Sequence, residues 1–86
     1  MRTFAHHINM LPMQRKEKDI IEYLVVFVVE FAKRFSLKQS QSFNYLNQHG
    51  AMTLLEQQYG YAHTQSFASM VDEIAEYCHR NGGNLI

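Results

Sequence analysis

At 86 residues the chain has room for one domain, and a domain this small buries only about 60% of its unfolded surface, so its stability is modest. Apolar residues make up 47% and aromatics 13%, with one proline and four glycines, which argues against a disordered tail or linker array. Eight Lys/Arg against eight Asp/Glu leave no net charge and remove the usual electrostatic case for nucleic acid or an anionic membrane surface.

Residues 1–12 mix polar and apolar positions without a helical or strand period, and Pro12 marks a break. They read as an arm, followed by a single helical domain over 13–82 and a short tail over 83–86. Met10 and Met13 stand just ahead of the first regular element, so a later translation start is an open reading. From Arg15 to Phe35, Ile20, Leu24, Phe27, Val28, Phe31 and Phe35 recur at spacings of three and four, which predicts a helix. The β-branched run Val25 to Val29 offers a buried strand as the competing reading, but the length and the charged flanking turns favour the helix. Ile21, Val25, Val29 and Ala32 carry the apolar surface almost all round. That suits a central helix covered on several sides, and any uncovered remainder would be a self-association face. Arg15, Lys16 and Lys18 alternate with Glu17 and Asp19 and read as a solvated first turn.

Ser36 is expected to cap a second helix running through Phe43, Tyr45 and Leu46 to His49, with Gly50 as its stop. A third helix from Ala51 through Leu54, Leu55 and Tyr59 is expected to end at Gly60. The stretch Tyr59-Gly60-Tyr61-Ala62-His63-Thr64-Gln65 then reads as a tight corner, with Gly60 in the left-handed conformation and Thr64 or Ser66 capping the next helix. In that last helix Phe67, Met70, Val71, Ile74, Tyr77 and Cys78 form one stripe, with Asp72, Glu73, Glu76 and Arg80 facing away. Gly82-Gly83 ends it. The expected fold is all-α, a small bundle of about four helices with short connections.

Catalytic and metal signatures are sparse. Of the five histidines no pair sits at i, i+4 on a helix, and Cys78 is the single cysteine, so neither a metal site nor a cofactor is expected. Cys78 lies on the apolar stripe and reads as an inert buried thiol; a lone cysteine fits a reducing compartment. No signal peptide is recognisable and the apolar run Tyr23 to Val29 is far short of a membrane span, so the expected location is cytoplasmic. His63 is the best single candidate for function, beside a capping residue and near the positive end of the last helix, although a corner histidine whose ring nitrogens bond to backbone is the stronger account of its position. Asp72 is expected to be solvated or to pair with a cation of the first helix. Tyr59 and Tyr61 belong either to the core margin or to a contact surface.

Glu30-Phe31-Ala32 in an opening apolar helix, the Gly50 step, and Tyr59, His63-Thr64 and Asp72-Glu73-Ile74 together resemble the small bacterial domain-of-unknown-function family 3791, over about Lys16 to Arg80. Ala62 stands where that family has an aliphatic residue, and Gly60 where it often has an acidic one. The resemblance implies a compact helical intracellular protein without established activity. It further implies an antitoxin-like partnership with a neighbouring ADP-ribosyltransferase-like protein. The expected function is a non-enzymatic protein-interaction module that binds itself or another protein, with Tyr59, Tyr61, His63, Thr64 and Asp72 as interaction or fold-determining residues. The alternative is a small enzyme or ligand-binding protein using His63 and a nearby carboxylate such as Asp72.

Overall fold

The computed structural model describes residues 15–86, so the expected arm at 1–12 and the start of the expected domain at 13 lie outside the described residues. Among the described residues there are five helices: α1 (Arg15–Phe35), α2 (Gln39–Gln48), α3 (Ala51–Gln57), α4 (Tyr59–Ala62) and α5 (Phe67–Arg80). The helical period prevails over β-branching in α1 because Phe27 and Phe31 are fully buried, with Tyr23, Leu24, Val28 and Phe35 packed around them. Lys33 and Arg34 in its last turn suit the negative end of the helix.

Ser36 does not cap α2. Its φ of 57° puts it in the left-handed region, where it closes α1 instead: the Leu37 N–H donates to the Ala32 carbonyl at 2.8 Å and the Ser36 N–H to that of Lys33 at 3.4 Å. The start of α2 falls to Lys38, whose N–H donates to the Gln41 side-chain oxygen at 2.9 Å. The helix meets α1 through Ser42, a fully buried serine whose hydroxyl donates to the Val28 carbonyl at 2.8 Å, and through Leu46, also fully buried. Gly50, at φ 77°, stops α2 as expected and leads directly into α3.

The third helix does not end at Gly60. It breaks at Gln58 (φ −102°, ψ 19°) and resumes as the single turn α4, which carries Gly60 inside it without a positive φ. A methyl group on Gly60 would meet nothing within 4 Å, so neither backbone nor space requires glycine there. The corner itself is His63 to Gln65, and Ser66 caps α5 by accepting from the Ser69 N–H at 3.1 Å. Met70, Val71, Ile74, Ala75 and Cys78 of α5 are buried in one cluster with Phe27, Phe31, Leu46, Ala51, Leu55 and Ala62.

At the end of α5 the Gly83 N–H donates to the Cys78 carbonyl at 2.7 Å and the Gly82 N–H to that of His79 at 3.2 Å, with Gly82 at φ 94°. Gly83 is buried beneath Tyr45, where a methyl group would overlap the phenol and lie 2.8 Å from the Cys78 carbonyl oxygen. Tyr45 Oη in turn accepts the Leu85 N–H at 3.3 Å, and Leu85 packs against the core. His49 Nδ1 lies 3.1 Å from the Asn81 carbonyl oxygen, so the ends of α2 and α5 are joined twice.

Two substitutions separate these roles in urea unfolding. Ser36→Gly is expected to raise stability by about 0.5–1 kcal/mol, because relief of left-handed strain exceeds the added chain entropy. Gly83→Ala is expected to lower it by about 1–3 kcal/mol through overpacking against Tyr45 and backbone. A stabilising Gly83→Ala would contradict the close approach.

Candidate interaction surface

The five residues singled out in the sequence separate into distinct environments. Tyr59 is half-buried, its ring edge-on to Tyr23 at 5.6 Å and stacked on the His63 imidazole at 4.6 Å. His63 is exposed, and its backbone N–H donates to the Tyr59 carbonyl at 3.0 Å; its ring is positioned by stacking and not by the backbone bonds expected. Thr64 donates its hydroxyl to the Tyr61 carbonyl at 2.6 Å and accepts from the Gln65 amide at 3.1 Å, which braces the corner without capping α5. Tyr61 is exposed and donates to Glu73 Oε2 at 3.0 Å; that bond is the main reason its phenol is held above its usual pKa. Asp72 pairs with Arg34 of α1, a link between α1 and α5 whose partners are both exposed and which therefore contributes little stability.

Tyr23 is the remaining polar group at this end of the core. Its ring stacks on Phe67 at 5.1 Å, and burial, with Tyr59 nearby, raises its phenol pKa. Among the described residues no three of His, Cys, Asp and Glu gather where they could hold a metal ion.

One surface concavity, about 340 Å³, runs between α3–α4 and α5 over Leu54, Leu55, Met70 and Ile74, with Tyr61, Glu73 and the Glu76–Arg80 pair (3.8 Å) on its rim. A second of about 260 Å³ lies between α1 and the start of α5. A third, about 230 Å³, lies on the α1–α2 face against Met52 of α3, and Gln39 is the single polar residue in its lining. His63 and Asp72 line none of the three. The geometry does not assemble the His63–carboxylate pair considered from the sequence.

The apolar surface expected on α1 is present. Val25 is 59% exposed and Ile21 47%, and Phe43 of α2 joins them at 45%, while exposed Val26 is turned about 100° further round α1. Burial of α1 against the core leaves this side open, because Phe27 and Phe31 point the other way. Ile21, Val25 and Phe43 line the 230 Å³ concavity, so the patch combines a half-exposed aromatic ring with the hollow it walls. Phe43 and Met52 were not singled out by periodicity. The available signal was an aromatic residue in the polar run Gln39-Ser40-Gln41-Ser42-Phe43-Asn44.

A family described as a protein of unknown function, DUF3791, matches residues 22–81. The chain belongs to the DUF3791 family. No curated protein and no solved structure matches it. In this DUF3791 chain the matched segment takes in the Ser36 helix end, the Gly50 step, the His63 corner and most of the α1–α2 face, while Ile21 lies one residue outside it. No described helix is long and apolar enough to cross a membrane.

Cys78 is fully buried, and that burial pushes its thiol from 9.0 up to about 11. The folded chain holds this proton where the unfolded chain releases it, so the contribution is complete below pH 9 and lost as pH rises through about 11. Stability in urea is expected to fall by on the order of 2 kcal/mol across that interval, with this component missing in Cys78→Ala. Identical alkaline slopes for the two chains would contradict the assignment.

Proposed function

We propose that this DUF3791 chain is a non-enzymatic protein-interaction module that docks through the α1–α2 face. The observation carrying the proposal is the exposure of Ile21, Val25 and Phe43 together around one apolar concavity, in a domain whose other large aliphatic and aromatic side chains mostly pack on one core. Single exposed apolar residues are ordinary, whereas a contiguous group rimmed by polar residues marks a contact surface. Tyr61 lies on the separate α4–α5 groove with its hydroxyl engaged by Glu73, and Tyr59 is occupied by Tyr23 and His63. Neither belongs to the docking face.

The form in which the partner is a neighbouring ADP-ribosyltransferase-like protein, with an antitoxin-like role for this chain, rests on family resemblance. Coexpression with that neighbour tests it, since a true partner copurifies in fixed stoichiometry.

For the docking face itself, the tagged chain is recovered from its host under native conditions as wild type, Val25→Glu and His63→Ala. The expected result is a stoichiometric complex, with a second protein or with the chain itself, that is lost in Val25→Glu and kept in His63→Ala. Loss in His63→Ala alone would move the function to the corner.

A further inference from the structure

Building on that docking-face reading, we infer that the occupant of the α1–α2 face is a second copy of this chain, related by a two-fold axis. An isologous contact sets a patch against itself, so the patch must carry both projection and recess and must not carry like charge at its centre. This face meets all three conditions. Phe43, 45% exposed, forms a raised wall of a concavity of about 230 Å³, and none of the residues lining that concavity is charged. A phenyl ring fits such a hollow, so the two-fold places each Phe43 against the partner copy's Ile21, Val25 and Val29.

The available area sets the strength. Ile21, Val25 and Phe43, each about half exposed, leave roughly 200–300 Å² per copy, taking about 150–250 Å² for a whole aromatic side chain and less for an aliphatic one. Doubled, and with the rim of Leu24, Val28 and Met52 added, this stays below the roughly 1,000 Å² that a stable specific interface clears. The dimer therefore belongs to the weak, exchanging class, with a dissociation constant in the range of about 1–100 μM.

Sedimentation velocity of the full chain over about 1–500 μM tests the proposal. The expected result is a shift from the 10.1 kDa monomer to twice that mass. Val25→Glu and Phe43→Gln are each expected to weaken association at least about tenfold, since each sets a polar group in an apolar contact. Both positions are exposed, so circular dichroism should show the fold unchanged. A dimer that persists in both variants uses another face and overturns the inference.

A monomer at every concentration also overturns it, and maleimide labelling of Val25→Cys then separates the two readings, with buried Cys78 as the internal slow reference. Rapid labelling leaves the face open to a different protein, so the docking-face reading stands. Protection equal to that of Cys78 means the chain covers its own face, and both readings fail.

Discussion

The burial of Phe27 and Phe31 on one side of α1 is the constraint on which the remaining structure depends. A helix with Val25, Val26, Val28 and Val29 in its middle has little propensity to form alone, so it needs packing. That packing comes from Val71, Ile74, Ala75 and Cys78 of α5 and from Leu46 of α2. Once the phenylalanines fix the rotation of α1, the positions of Ile21 and Val25 follow from the 100° advance per residue. The open apolar face is thus the geometric counterpart of the core, produced by the same valine- and phenylalanine-rich run.

Helix limits were legible in the sequence where apolar spacing and helix-end chemistry agreed. The bounds of α1 and α5 follow from periodicity, and Gly50 and Gly82 act through their positive φ as such glycines usually do. Ser36 and Gly60 were misread for opposite reasons. Serine is a common helix cap, but tertiary placement of Leu37 forces Ser36 into a left-handed helix end. Glycine is a common stop, but Gln58 makes the break and the turn Tyr59–Ala62 continues with Ala62 fully buried. Local residue type lost to packing in both cases.

The surface was harder to read than the fold. A surplus of apolar positions on α1 was visible from its period, yet its completion by Phe43 and Met52 needs the angle between helices, which no one-dimensional pattern carries. Histidine, threonine and tyrosine, the residues of the His63 corner, are chemically versatile. In the fold their groups are spent on one another and on backbone: His63 on Tyr59, Thr64 on the Tyr61 carbonyl, Tyr61 on Glu73. Asp72 takes the second of its two expected states, pairing with Arg34 of α1, a partner distant in sequence.

The chain has no tryptophan and five tyrosines, and each tyrosine marks a different place in the fold. Tyr23 sits against Phe67 at the α1–α5 seam, Tyr45 under the final residues, Tyr59 on His63 and Tyr61 on a carboxylate, while Tyr77 faces the Gly50 step. Phenol emission is quenched by a bonded carboxylate and sensitive to a stacked ring, so the intrinsic fluorescence of this protein is an addressable map. Replacing any four tyrosines by phenylalanine leaves one lamp at one helix junction, and the order in which those junctions loosen can be watched without an attached dye.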